Sequence, residues 1–274
     1  MSENEVFIHP TSTVHPKAKL DQGVWIGPYS FVGERVTIHK KTRLDAYVHI
    51  DGLTEIGEEC LFSPFSSIGA APQDVTYKGE ETSVRIGDRN IFREGITIHR
   101  GTAKGRGKTL IGNNNYFMAY SHIAHDCVVG DETVFINAAT LGGHVTIEDY
   151  ATVGGFSAAH QFCRVGKYAF IGGYTVITQD VLPFCRVAGT RPTLLYGLNS
   201  VGLRRRGFSR ERLKIIKEIF KIFFYSDLNS TQALERIKEQ IPPGEDRDEI
   251  INFVQSSTRG IVKKVSEQWE ADWE

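Results

Sequence analysis

Residues 129–166 read VGDETVFINAATLGGHVTIEDYATVGGFSAAHQFCRVG, and every sixth position is apolar: Val129, Phe135, Leu141, Ile147, Val153, Ala159 and Val165. A period of six is too long for strand alternation and does not match the 3.6 of a helix. The beat extends in both directions. Upstream it starts at Ile8 and runs through Val14, Leu20, Ile26, Val32, Ile38, Leu44, Ile50, Ile56 and Phe62 to Ile68. It resumes at Ile86, Phe92 and Ile98, and again from Ile111 through Phe117 and Ile123; downstream it passes Ile171 and ends at Ile177, 26 beats in all. A chain of this kind predicts a mainly β fold, a parallel β-helix in which each hexad supplies one short strand and a corner. The aliphatic points inward. The glycine that often follows it (Gly27, Gly57, Gly87, Gly112, Gly130) permits the turn, and a small fifth residue such as Cys60, Cys127, Ala139 or Cys163 fits a narrow interior. Three hexads make one triangular coil, stacked about 4.8 Å from the next.

Two stretches interrupt the beat, GAAPQDVTYKGEETSVR after Ile68 and HRGTAKGRGKTL after Ile98. They predict loop excursions at 69–85 and 99–110, where a rigid scaffold carries binding groups. The β-helix is expected over 1–189 and a small C-terminal α-helical domain over 190–274. Ser209 caps one expected helix, with Leu213, Ile216, Phe220 and Phe223 on its apolar face, and Ser230 a second with Leu234, Ile237 and Ile241. Glu249 to Val262 offers a third, after a turn at 242–248.

The totals exclude several classes. The 274 residues are 41% hydrophobic with net charge -1, which gives no reason to expect nucleic acid as a partner. MSENEVF lacks a signal-peptide pattern and IIKEIFKIFF is broken by lysines, so no transmembrane segment and a cytoplasmic location are expected. Four scattered cysteines without a C-x-x-C pair argue against both a zinc cluster and a disulfide framework.

Of nine histidines, His9, His15, His39 and His99 follow the inward aliphatic and His49 precedes one, so all five read as solvated surface groups. His125, His144 and His160 are spaced by nearly one coil each, which stacks them near one corner, with His122 joining on the coil of His125. A zinc site of the hexapeptide-repeat carbonic anhydrase kind would need three converging imidazoles; those enzymes space their histidines differently. A bare stack of imidazoles leaves Asp126 and Gly142-Gly143 unexplained. Acyl transfer uses all the parts: His125 as general base, Asp126 fixing its tautomer, and the backbone N–H of Gly143 receiving the oxyanion. Strand neighbours point to opposite faces, so pairing His125 with Asp126 requires a corner there. No serine or cysteine is placed as a nucleophile, Cys127 and Cys163 being inward.

The motifs IGDRN (86–90), TIHRGT (97–102), SHIAHDC (121–127), NAATLGGHV (137–145), AAHQFCRVG (158–166), IGGYT (171–175), RRGFSRE (205–211) and STRGI (257–261) resemble one family over nearly the whole chain. It is the UDP-N-acetylglucosamine 3-O-acyltransferase family of lipid A biosynthesis, within the hexapeptide-repeat acyltransferases. The resemblance implies a left-handed β-helix, a homotrimer with active sites between subunits, and an (R)-3-hydroxyacyl group delivered by acyl carrier protein to UDP-N-acetylglucosamine. It implies no cofactor beyond the carrier's phosphopantetheine. By motif it makes His125, Asp126 and Gly143 catalytic. His122, His144, His160 and Gln161 would line the sugar and nucleotide pocket, with Gln73 and Asp74 from the first excursion. Asn199, Arg205 and Arg206 would serve uridine and phosphates, the basic run also suiting an acidic carrier protein, and Gly173 would leave room for the acyl tail. Two departures stand out: Thr76 where the family has lysine, with Lys78 nearby, and Val201 where it has glutamate. Acylation of a 3-amino sugar to an amide therefore stays open, as does acyl chain length. The related N-acyltransferases carry an amino-terminal uridine-binding domain, for which hexads starting at Ile8 leave no room.

Overall fold

The computed structural model describes residues 5–267; the ends of both expected domains, 1–4 and 268–274, lie outside the described residues. Each of the 26 beats falls in its own short strand, from Phe7–Ile8 to Val176–Ile177. Ile8 pairs in parallel with Ile26, Ile26 with Leu44, and Phe117 with Phe135, one 18-residue coil apart. Sheets of 11, 9 and 8 strands, parallel but for the last strand of the first, form the faces of a left-handed prism, an exception to the right-handed crossover rule. Its axis is packed with the beat residues. Phe62, Phe92, Phe117 and Phe135 stack face to face at centroid spacings of 4.5, 4.9 and 4.8 Å, and fifth-place Cys60, Cys127, Ala139 and Cys163 are buried with them.

The turn chemistry differs from expectation. The residue that takes the left-handed conformation is the fourth of the hexad, and it is usually not glycine: Tyr29, Tyr47, Asp126, Glu132, His144 and Tyr168 have φ between 52° and 64°. The second-place glycines serve contact between coils instead. A Cβ on Gly57 would sit 2.5 Å from the backbone of Gly87, and one on Gly112 or Gly130 would meet the carboxylate of Asp131 or Asp149 at 2.2 or 2.3 Å. Those carboxylates are fixed: Asp131 accepts from the backbone N–H of Asn113 and Asp149 from that of Asp131. The glycines are needed for space.

The excursions are shorter than expected because strands Ser67–Ala70, Ser83–Ile86, Thr97–His99 and Lys108–Ile111 run further than two residues, leaving loops at 71–82 and 100–107. The division expected at 189/190 falls inside a hairpin: Cys185–Ala188 continues the 11-stranded face and Leu194–Leu198 pairs with it antiparallel. Helices begin only with α1 (Ser200–Arg205), which the hydrophobic pattern does not announce, followed by α2 (Arg210–Phe224), α3 (Ser230–Gln240) and α4 (Glu245–Gln255). Ser209 caps α2 as expected, but Asn229, not Ser230, caps α3, in a reciprocal capping box with Gln232. The third expected helix starts four residues early and stops at Gln255. Glu245, Asp246 and Asp248 favour its positive N-terminal end, and Asp246 is gripped by Arg212 of α2 at 2.6 and 2.7 Å. The chain then returns to the prism, where buried Asp180 accepts from the Arg164 N–H at 2.8 Å and the Ser257 hydroxyl at 2.7 Å.

Candidate active site

The edge between the 9-stranded and 8-stranded faces turns at Ala124–Cys127. Asp126 supplies its left-handed residue, φ 61°, and this corner brings two neighbouring side chains to the same side. His125 Nδ1 lies 2.9 Å from Asp126 Oδ2, the histidine 12% exposed and the aspartate fully buried. The second excursion wraps the carboxylate. Thr102 donates to Oδ2 through its backbone N–H (3.0 Å) and hydroxyl (2.7 Å), and the N–H groups of Arg106 (2.8 Å) and Gly107 (3.0 Å) donate to Oδ1. Burial alone would push this carboxyl up; the bonds from Thr102 and His125, with the neighbouring His144, hold it below the usual range. A carboxylate only accepts, so the His125 proton sits on Nδ1 and leaves Nε2 as a base.

One coil on, His122 pairs with Thr140, which sets Gly143 over His125 and His144 over Asp126. A Cβ on Gly143 would lie 2.5 Å from Cε1 and 2.6 Å from Nε2 of His125. Only glycine lets the His125 ring stand there, with no side chain between the imidazole and the Gly143 backbone. His144 has φ 64°. Its ring meets His125 edge-on at 5.1 Å and stacks on Phe162 at 4.4 Å. Burial and the charges of His125 and Arg106 outweigh Asp126 and lower its imidazole.

His125, Asp126 and His144 are also the group among the described residues whose ligand atoms converge, within 4.8 Å. Asp126, however, already accepts five hydrogen bonds, from Thr102 (two), Arg106, Gly107 and His125, which saturates a carboxylate's lone pairs. The donor set fits an oriented imidazole better than a cation. Burial likewise pushes the Cys127 thiol up to about 12 and the Cys163 thiol to about 11, so neither offers a thiolate.

His99 corrects the sequence reading. It is 6% exposed rather than solvated, because the strand that carries it pairs with Ser67–Ala70 at the start of the first excursion. Its ring packs edge-on against His122 at 4.9 Å, and burial, with the charges of His122, His125 and Arg100, takes its pKa down to about 4. His122 bonds the Thr97 hydroxyl through Nδ1 at 2.7 Å and is lowered too, by burial and by His125. His39 is paired, with Asp21 at 2.7 Å and Glu55 at 3.4 Å. From the first excursion, Gln73 is exposed and Asp74 half-buried; bonds from Thr76 lower the Asp74 carboxyl, with smaller contributions from His125 and Lys104.

The remaining expected residues divide. His160 stays on the histidine edge but one residue out of phase, over Gly142, exposed and 3.3 Å from Arg259; Gln161 beside it is exposed. Gly173 lies on the edge between the 11- and 9-stranded faces, where a Cβ would meet only the Gly155 carbonyl at 3.4 Å. Asn199, Arg205 and Arg206 are on the third edge, lining a cleft of about 690 Å³ with Tyr150 and Tyr168. Asn199 donates to the Tyr168 carbonyl at 2.9 Å, and Arg206 pairs with Glu132 and covers the Tyr150 ring at 4.6 Å. One chain does not bring them to His125. Sequence reasoning assigned no role to Thr102 or to the donors of Arg106 and Gly107 and put His99 on the surface; the signals were the motif TIHRGT (97–102) and the second break in the beat.

A family profile described as UDP N-acetylglucosamine O-acyltransferase, domain 2, matches residues 180–262. The chain is 48% identical over 256 residues to an acyl-[acyl-carrier-protein]–UDP-N-acetylglucosamine O-acyltransferase of Thermodesulfovibrio yellowstonii, covering 93% of this chain and 99% of that one. It is 46% identical, with the same coverage, to its namesake in Halorhodospira halophila. Among solved structures it is similar to a UDP-N-acetylglucosamine acyltransferase from Bacteroides fragilis, with a TM-score of 0.90, 37% identity and coverage of 93% and 100%.

Proposed function

The chain belongs to the UDP-N-acetylglucosamine O-acyltransferase family, and from that premise we propose how its own residues carry out the reaction. The enzyme transfers an acyl group from acyl carrier protein to UDP-N-acetylglucosamine, the step that opens lipid A biosynthesis. In our reading the group is (R)-3-hydroxyacyl and the acceptor is the sugar 3-hydroxyl. His125 Nε2 takes the hydroxyl proton as the oxygen attacks the thioester carbonyl. Asp126 holds the resulting imidazolium, and the Gly143 N–H receives the oxyanion. The intermediate then collapses: the C–S bond breaks, and the leaving thiolate of the carrier's phosphopantetheine takes the proton back from His125. Neither metal nor organic cofactor enters these steps. The observation that carries the reading is the His125–Asp126 pair set directly under a side-chain-free Gly143.

We read the assembly as a homotrimer, in which Asn199, Arg205 and Arg206 of one copy complete the histidine edge of the next. The separation of the two groups within a chain supports this. So does a line of exposed aromatics on the edge that carries Gly173, Tyr29, Tyr47, Phe65, Tyr120, Phe156 and Tyr174, between 49% and 71% exposed, since grouped exposed apolar side chains mark interaction surfaces. No helix among the described residues is long and apolar enough to cross a membrane, and the reading keeps the cytoplasmic location.

The test is turnover of (R)-3-hydroxyacyl carrier protein and UDP-N-acetylglucosamine by the parent and by His125→Ala, with the product identified by mass spectrometry. The parent is expected to form the 3-O-acyl sugar and the variant to lose about 10³-fold in kcat. Equal turnover would remove His125 from its role, and an amide formed only from a 3-amino sugar would reassign the acceptor.

A further inference from the structure

Lys104 sits in the second excursion, two residues from Thr102 and two from Arg106, both of which donate backbone N–H groups to Asp126. The intervening Gly105 is pressed against the site: a Cβ there would lie 2.5 Å from Asp126 Oδ2 and from His144 Cε1. From this clamped loop the Lys104 ammonium reaches the first excursion and donates to Thr76 Oγ1 at 3.1 Å. Thr76 in turn engages Asp74 Oδ1 twice, through its N–H and its hydroxyl, both at 2.8 Å.

The directions of these bonds follow from chemistry. An ammonium only donates and a carboxylate only accepts, so the Thr76 hydroxyl accepts from Lys104 and must give its single proton to Asp74. Bonds in such a chain strengthen one another. Asp74 Oδ1 is thereby occupied, while Oδ2 has no hydrogen-bond partner among the described residues and the charge of His125 acts on the same carboxyl. A second clasp joins the loops alongside: Arg100 donates to the Tyr77 hydroxyl at 3.0 Å and to the Gly69 carbonyl at 2.8 Å.

We propose that Lys104 is a positioning residue for the transfer, acting through Thr76 to fix the Asp74 carboxylate of the first excursion. Asp74 Oδ2 is then held ready to accept from a hydroxyl of the acceptor sugar while His125 removes the reacting proton. This rests on the reading given under Proposed function. An exposed lysine usually contributes little; here the loop that carries it is anchored on Asp126, and the chain of bonds ends on Asp74.

Steady-state kinetics of Lys104→Met, Lys104→Arg, Thr76→Val and the Lys104→Met/Thr76→Val double variant test it, using acyl carrier protein substrate and UDP-N-acetylglucosamine. Loss of one charge-assisted link is expected to lower kcat about tenfold, leaving KM for the acyl carrier protein and the thermal midpoint unchanged. Arginine should restore kcat to within about twofold, and the double variant should be no worse than the poorer single one, since both cut the same chain. Parental kcat in Lys104→Met, or losses that multiply in the double variant, would overturn the proposal while leaving an active parent as support for the functional reading. A parent unable to acylate UDP-N-acetylglucosamine would overturn both.

Discussion

The histidine edge and the edge bearing Arg206 are built from one repeat, with the same left-handed fourth residue at the turn, Asp126 on one and Glu132 on the other. Their carboxylates live differently. Asp126 is fully buried under the second excursion, whose Thr102, Arg106 and Gly107 fill its lone pairs together with His125. Glu132 is 40% exposed and pairs with Arg206, itself 38% exposed. The repeat thus supplies identical corners, and what covers a corner decides whether it does chemistry or binding. In this account the first edge makes and breaks bonds, and the second holds a nucleotide for a neighbouring copy.

The sharpest way to break that contrast is Asp126→Asn. The amide cannot accept from every present donor, and it offers a proton to His125 Nδ1 instead of taking one; kcat should fall about 10³-fold or more, measured with saturating substrates. Near-parental kcat would put both carboxylates in the same class.

His99 is next. Its pKa of about 4 when folded, against about 6.5 unfolded, means that the unfolded chain binds a proton over that interval while the folded chain does not. The His99 contribution to stability is therefore fully present above about pH 6.5 and lost as pH falls toward 4, by about 3 kcal/mol. Chemical denaturation across this range should show the slope, and His99→Leu should flatten it; an unchanged slope would return His99 to the surface class.

Gly143 and Gly173 occupy the same place in their hexads on different edges. Gly143→Ala drives a methyl into the His125 ring and should lower kcat about 10²-fold. Gly173→Ala meets only a carbonyl at 3.4 Å and should keep kcat for short acyl groups and the thermal midpoint. Equal effects would mean that the space over His125 is not special.

Much of this was legible beforehand. An inward side chain recurring once per strand cannot be disguised, so Ile8 to Ile177 delivered the solenoid, and His125, Asp126 and Gly143 met because coils of 18 keep register. The glycines were misjudged, since a hexad does not reveal whether a missing Cβ serves the turn or the coil above. His99 was misjudged because what buries it is the strand end opening the first excursion, a piece outside the beat. Backbone donors such as those of Arg106 and Gly107 carry no side-chain signature at all. Asn229 displaced Ser230 as a cap by one residue, a distinction that two adjacent capping residues do not settle.

The division of the site between two copies is tested most directly by mixing. His125→Ala and Arg205→Ala protomers, each impaired alone, are co-expressed in equal amounts and the mixed trimers assayed. Random assembly pairs an intact histidine edge with an intact Arg205 at about a quarter of the interfaces, so activity should recover to about that fraction of the parent. Activity no higher than the mean of the two separate variants would contradict a shared site.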